Sequence, residues 1–232
     1  MNIAAIVVAA GRGVRMGGEL PKVLLPLSGT PILVRTLRAL AGAGGIRQIV
    51  AVVSRDYLEP ARELVRQSGT WPIAISFAVG GAERQDSVAA GLQALPPDAD
   101  LVVIHDGARP FVQPAQVAAV VDAAARHGAA LLAVPSRDTV KLVDGQGVVT
   151  STPPRESVWL AQTPQAFRTA LLRDAHARAH RAGVVATDDA ALVERLGVSV
   201  HVVRGDAANV KITTPDDLRW AEWYLQSGAA PR

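Results

Sequence analysis

The chain has 232 residues, 49% of them apolar and only 4% aromatic, with 24 Lys and Arg set against 21 Asp and Glu. A net charge of +3 lacks the concentrated basic stripe of a nucleic-acid binder and suits a site for small anions. The absence of cysteine excludes disulfides, thiolate metal centres and cysteine nucleophiles, and no apolar run approaches the ~20 residues of a membrane span.

The chain starts directly in an apolar run with no basic leader or cleavage site, so a soluble, cytoplasmic protein is expected. That run, residues 3–9, reads as a buried strand. It empties into a loop carrying Gly11, Arg12, Gly13, Arg15, Met16, Pro21 and Lys22. Gly11 and Gly13 leave backbone N–H groups free to face an anion. Arg12, Arg15 and Lys22 add the fixed positive charge that a triphosphate needs. The spacing is not the dinucleotide fingerprint, because Met16 stands at the third glycine position. Nor is it a Walker loop, since Lys22 follows Pro21 and is not followed by Ser or Thr. A structural loop with incidental glycines is the bland alternative; the charges favour nucleotide phosphates.

Further strands are expected at 48–53, 73–78, 101–105, 129–134 and 198–203. Helical patterns lie at 31–43, 57–68, 84–95, 114–127, 165–182, 188–196 and 215–227. This alternation predicts an α/β fold of Rossmann-like type, a mostly parallel sheet flanked by helices, within a single domain spanning 1–232. Ligands of such sheets sit at the carboxyl ends of the strands, which points to the loops after Ala9, Ala78 and His105. Residues 136–157 break the rhythm with two short β-prone runs around Asp144-Gly145, a hairpin pattern. This segment has too little apolar surface to fold alone. It is either an arm laid on a partner subunit or a solvent-exposed hairpin. The tail from Ser227 reads as frayed.

His105-Asp106-Gly107-Ala108-Arg109-Pro110 follows a strand at the sheet's carboxyl edge. Asp106 there suits a metal ion or its water shell, and Arg109 suits a bidentate grip on phosphate. An Asp–Gly turn with Arg109 paired to Asp106 is the structural alternative. Gly80-Gly81-Ala82-Glu83-Arg84-Gln85-Asp86-Ser87 leads into a helix and offers backbone groups and a hydroxyl to a base or ribose. Thr214, Pro215, Asp216 and Asp217 mark a helix start, with Lys211 just outside it. Thr187-Asp188-Asp189 reads most simply as another helix cap. His176 and His180 are spaced to share a metal, but Arg173, Arg178 and Arg181 around them favour a solvated basic face. Trp220, Trp223 and Tyr224 lie at helical spacing and read as core or interface.

Taken in order, these blocks resemble the methylerythritol phosphate cytidylyltransferases of non-mevalonate isoprenoid synthesis over about residues 3–226. The resemblance is carried by Ala9-Ala10-Gly11-x-Gly13-x-x-Met16 with Pro21-Lys22, Gly80-Gly81-x-x-Arg84-x-x-Ser87 and His105-Asp106-x-Ala108-Arg109-Pro110. It continues through Arg137-Asp138-Thr139-Val140-Lys141, Gln162-Thr163-Pro164-Gln165, Thr187-Asp188 and Asn209-Val210-Lys211-Ile212-Thr213. The resemblance implies transfer of CMP from CTP to 2-C-methyl-D-erythritol 4-phosphate with release of pyrophosphate. Mg²⁺ would ride on the triphosphate, with Asp106 its nearest protein candidate.

By position, the resemblance makes Arg15, Lys22 and Lys211 the catalytic cations. Ala9, Ala10, Gly11, Gly13, Gly81, Ala82, Ser87 and Asp106 would bind CTP. Asp106, Arg109, Thr139, Arg155, Thr163, Thr187 and Lys211 would line the acceptor side. Thr139 and Arg155 sit on the 136–157 arm, which in this family crosses to the neighbouring subunit of a homodimer. Ala82 replaces an acidic residue of some relatives, so a side-chain contact is lost there. Gly107 replaces a more familiar alanine, an exchange expected to be harmless. The attacking phosphate oxygen is already anionic, so no general base is required and the chemistry rests on alignment and charge. A ribitol 5-phosphate cytidylyltransferase is the nearest alternative enzyme, and a CTP-sensing subunit the alternative from another class.

Overall fold

A computed structural model describes residues 1–11 and 20–228. Gly13 and Arg15, with Arg12 and Met16 of the same loop, lie outside the described residues, as do residues 229–232. The first strand, β1 (Ile3–Val8), shows why a sheet covered on both faces forms. Ile3, Ala5 and Val7 enter one apolar cluster, while Ala4 and Ile6 enter another. Alternate side chains of a strand point to opposite faces, so a run that is apolar throughout requires cover on both sides. The same division holds in β4 (Ile46–Val53), where Ile49, Ala51 and Val53 face one cluster and Val50 and Val52 the other.

The remaining strands of the main sheet are β5 (Ala74–Val79), β6 (Leu101–Asp106), β7 (Ala129–Pro135), β10 (Trp159–Arg168) and β11 (His201–Arg204). Their spatial order is β11-β7-β10-β6-β1-β4-β5. β1 pairs in parallel with β4 and β6, as do β4 with β5 and β11 with β7. β10 runs antiparallel to both β6 and β7. The sheet is therefore mostly parallel with one reversed strand near its middle. One face is covered by α1 (Ile32–Ala41), α2 (Leu58–Gln67) and α4 (Pro114–His127) through Leu33, Leu37, Val65 and Val120. The other is covered by α3 (Arg84–Ala94), α5 (Thr169–Arg181) and α6 (Asp189–Glu194) through Val88, Leu92, Leu172 and Val193.

A third cluster joins α7 (Pro215–Gln226) to the small β2 (Pro26–Leu27) and β3 (Thr30–Pro31) ribbon. Phe111 meets Trp220 and Tyr224 edge-on, with centroids 5.9 and 5.1 Å apart. Trp220 and Tyr224 are thus cluster residues, whereas Trp223 on the same helix is 61% exposed and is not.

Most expected elements form within two residues of their expected ends, but two need correction. Residues 165–168 are not helical; they complete β10, and the helix begins only at Thr169. Gln165, Ala166 and Phe167 pair with β6 on one side and β7 on the other, and this double pairing overrides a helix-compatible local sequence. The strand expected at 198–203 starts at His201; Val198 and Val200 before it pack against the α5–α6 side.

The hairpin forms as β8 (Leu142–Val143) and β9 (Val149–Ser151), but its turn is wider than an Asp-Gly pair. The Asp144 carboxylate accepts from the Gln146 and Val148 amides at 2.9 and 3.0 Å and shapes the connection. The excursion leaves and returns at one point, where Pro135 pairs with Trp159. Leu142, Val143, Val148 and Val149 on it are all more than half exposed. No helix among the described residues is long and apolar enough to cross a membrane.

Candidate active site

The chain leaves β1, goes outward through β4 and β5, and returns to β6 on the other side of β1. Such a reversal opens a crevice at the carboxyl ends of the strands. Backbone bonds continue the ladder into the loops there: Ala9 N–H donates to Val52 O, Gly80 to Val53 O and Gly107 to Val8 O, at 2.7–2.8 Å. A side chain at Gly80 would come 2.5 Å from Ala10 Cβ and 2.6 Å from Ser87 Oγ, so only glycine lets these loops touch. A Cβ on Gly107 would approach Ala9 Cβ to 2.9 Å. The alanine expected to be interchangeable here therefore requires this loop to shift.

Lys22 opens the short turn Lys22–Leu24, anchored by the buried Val23 and Leu24. Thr214 caps α7, and Asp217 accepts from the Thr213 and Thr214 amides at 2.8 Å. Ile212 N–H donates to Ala108 O at 2.9 Å, and together these bonds place Lys211 at the crevice.

The result is a cavity of about 350 Å³ lined by Ala9, Ala10, Gly11, Lys22, Gly81, Ala82, Ser87, Asp106 and Lys211. A second cavity of about 250 Å³ is lined by Arg109, Thr163 and Thr187 and shares Arg84, Asp106 and Lys211 with the first. Thr139 and Arg155 line neither; both are exposed on the arm, where Arg155 Nη1 donates to Arg137 O at 3.4 Å.

Asp106 is the electrostatic centre. Lys211 Nζ lies 3.0 Å from its Oδ2, Arg109 Nε 3.4 Å from the same oxygen, and Arg84 Nε 3.5 Å from Oδ1. Burial alone would raise this carboxyl's pKa, but Lys211, Arg84 and Arg109 outweigh it and hold the group well below the usual carboxylate range. Both oxygens thus face cations. Among the described residues no group of three or more His, Asp or Glu side chains could hold a metal ion. The donor set does not fit a protein-held Mg²⁺. It fits anions, for which a cluster of Arg and Lys in a crevice supplies complementary charge.

Arg84 was not among the expected site residues, although its place in the first turn after Gly80-Gly81 marks it as available. Its Nη1 donates to the buried Asp189 at 2.7 Å while its Nε faces Asp106. Asp189 also takes a 3.0 Å contact from His176 Nε2. The solvated face expected for His176 is therefore incorrect: this histidine is buried and packs inward, whereas His180 is exposed. Asp188 is the N-cap of α6, accepting from Ala191 N–H at 2.9 Å, and Gln165 Nε2 donates to it at 2.8 Å.

Below the site lies His105, with no exposed surface, whose pKa burial lowers to about 4. A depressed histidine leaves the unfolded chain binding more protons than the folded one, so stability falls as pH drops from ~6.5 towards 4. Asp106 acts in the same direction at lower pH, because its ionised form is stabilised only in the folded state. His105 alone is expected to cost about 3 kcal/mol by pH 4. Thermal unfolding followed between pH 7.5 and 4 checks this, and a Tm that stays level over that range would contradict it.

Comparison with known proteins bears on the chain and its fold as a whole. The family model for 2-C-methyl-D-erythritol 4-phosphate cytidylyltransferase matches residues 3–227. A protein of that name from Desulforamulus reducens is 48% identical over 225 residues, covering 97% of this chain and 96% of the relative. Another from Geobacillus thermodenitrificans is 46% identical and covers 99% and 100%. Among solved structures, the 4-diphosphocytidyl-2C-methyl-D-erythritol synthase of Anaerococcus prevotii superposes with a TM-score of 0.87 at 32% identity, covering 97% of this chain and 98% of that one. The cytidylyltransferase of Thermus thermophilus does so at 0.78 with 38% identity, covering 97% and 100%. With the family model, the curated relatives and the fold in agreement over nearly the whole length, the chain belongs to the 2-C-methyl-D-erythritol 4-phosphate cytidylyltransferase family.

Proposed function

We propose that this protein transfers CMP from CTP to 2-C-methyl-D-erythritol 4-phosphate, a step of isoprenoid precursor synthesis, and releases pyrophosphate. The observation that carries the reading is the pair of cavities meeting at Arg84, Asp106 and Lys211. The larger takes the nucleotide and the smaller the acceptor, so the acceptor phosphate faces the α-phosphorus across their common wall. An acceptor phosphate oxygen forms the new bond to that phosphorus, the bond to the bridging α,β-oxygen breaks, and pyrophosphate carries away the electron pair. No proton needs to be removed, which fits a wall whose one carboxylate, Asp106, is held ionised by the cations around it. Mg²⁺ carried on the triphosphate would offset part of its charge.

Lys22 and Lys211 both line the nucleotide cavity, and Arg15 completes the cationic set in this reading. They hold two mutually repelling anions together and stabilise charge that grows in the transition state. Ala9, Ala10, Gly81, Ala82 and Ser87 surround the cytosine. Arg109, Thr163 and Thr187 receive the acceptor.

The exposed apolar side chains of β8 and β9 support an arm covered by a second copy of the chain. Thr139 then acts in the partner's site. The protein is read as one nucleotidyltransferase domain working in the cytoplasm as a homodimer.

The test is pyrophosphate release from CTP and Mg²⁺ with each polyol phosphate in turn. 2-C-methyl-D-erythritol 4-phosphate is expected to be turned over, and ribitol 5-phosphate far more slowly; the reverse order would replace the acceptor assignment. CTP is expected to exceed UTP, ATP and GTP, because fixed main-chain groups leave a buried polar atom unpaired against a uracil edge. Equal turnover with UTP would mean that the pocket does not read the pyrimidine 4-position.

A further inference from the structure

The hydrogen bonds beneath the acceptor cavity have only one consistent set of directions. His105 Nε2 lies 3.1 Å from Arg109 O, and a carbonyl only accepts, so the proton is on Nε2. The ring has no exposed surface, and the Arg109 and Lys211 charges lie near it; the Arg109 carbonyl and Asp106 oppose them, and burial outweighs both. A second proton would bury another cation among these groups, so the ring is neutral and Nδ1 carries a bare lone pair. Thr163 Oγ1 lies 3.0 Å from Nδ1 and must donate its proton there. The same oxygen accepts from Asp106 N–H at 3.0 Å. A hydroxyl has one donor and two acceptor positions. At Thr163 the donor and one lone pair are therefore occupied within the protein, and one lone pair remains for the cavity that this residue lines.

We propose that His105 is a positioning residue that accepts the hydrogen bond of the Thr163 hydroxyl and leaves Thr163 able only to accept, so that Thr163 meets a hydroxyl of the polyol and not its phosphate. A phosphate monoester dianion has no proton to give, whereas a polyol hydroxyl has. His105 thereby sets the orientation of the acceptor, with its phosphate left to Arg109 and Lys211. This rests on the polyol phosphate reading above; the tautomer itself does not.

Side-chain nitrogen NMR of the ¹⁵N-labelled protein, which has five histidines, tests the tautomer without substrate or mutation. One imidazole is expected to show a protonated Nε2 and a bare Nδ1, unchanged from pH 8 to about 5.5, across the range in which an ordinary histidine titrates. Its Nδ1 resonance should shift in Thr163→Val and return in Thr163→Ser. If this imidazole instead has its proton on Nδ1, or titrates near the ordinary histidine pH, the proposal is overturned whatever the substrate is.

The second arm is kinetic. Thr163→Val should raise the acceptor KM roughly ten-fold while the CTP KM stays within about two-fold, and Thr163→Ser should recover most of the loss. Inhibition by inorganic phosphate should be the same in Thr163→Val as in the wild type. Weakening of that inhibition in step with the acceptor KM would place Thr163 on the phosphate and overturn the assignment. Absence of turnover with any polyol phosphate would remove the substrate reading while leaving the NMR result to stand or fall alone.

Discussion

Alanine in place of Lys22 is expected to lower kcat by at least ~10²-fold, the scale for losing one preorganised charge at a transition state. Lys22 lines the nucleotide cavity at the start of a turn whose next two residues, Val23 and Leu24, are buried in the core. Its ammonium is thus delivered by packed backbone and needs little reorganisation as charge builds on the phosphates. Truncation removes that charge without touching the anchoring residues Val23 and Leu24, so the protein should still fold. Lys211→Ala should cost as much in kcat but also lower Tm, because Lys211 is one of three cations around the buried Asp106. Steady-state kinetics with thermal unfolding of both variants checks the pair. Near-normal turnover in a well-folded Lys22→Ala protein would remove Lys22 from the catalytic set.

Mixing inactive Lys22→Ala chains with inactive Thr139→Val chains is expected to restore activity. Lys22 lines the nucleotide cavity, but Thr139 is exposed on an arm that leaves the sheet at Pro135 and returns at Trp159. If the arm crosses a two-fold axis, each site takes Lys22 from one chain and Thr139 from the other. A mixed dimer then has one site intact at both positions. With full exchange half the dimers are mixed, so about a quarter of all sites should work, as an isologous dimer requires. Recovery to that level, measured as pyrophosphate release after proven subunit exchange, supports the shared site. No recovery from two individually inactive parents would place both residues in one chain's site.

Much of this protein is legible in its sequence, because local patterns sufficed for the elements that carry them. The run from Ile3 to Val8 is apolar at every position, which only a strand covered on both faces can satisfy. Thr214-Pro215 and Asp188 each start a helix through a cap written in neighbouring residues. The motif order identified the family, and strand-end positions pointed to the loops that line the crevice. Other features depend on partners distant in the chain. Residues 165–168 join β10 because β6 and β7 bind them from both sides, which no local propensity reveals. His176 turns inward because Asp189, thirteen positions away, and Arg84 beyond it offer a buried partner. The neutral His105 and the directed Thr163 hydroxyl follow from burial and from a proton count across 58 positions of sequence. Periodicity and caps are written within one or two turns of chain; the ionisation and donor direction of a buried group are set by whatever the fold places beside it.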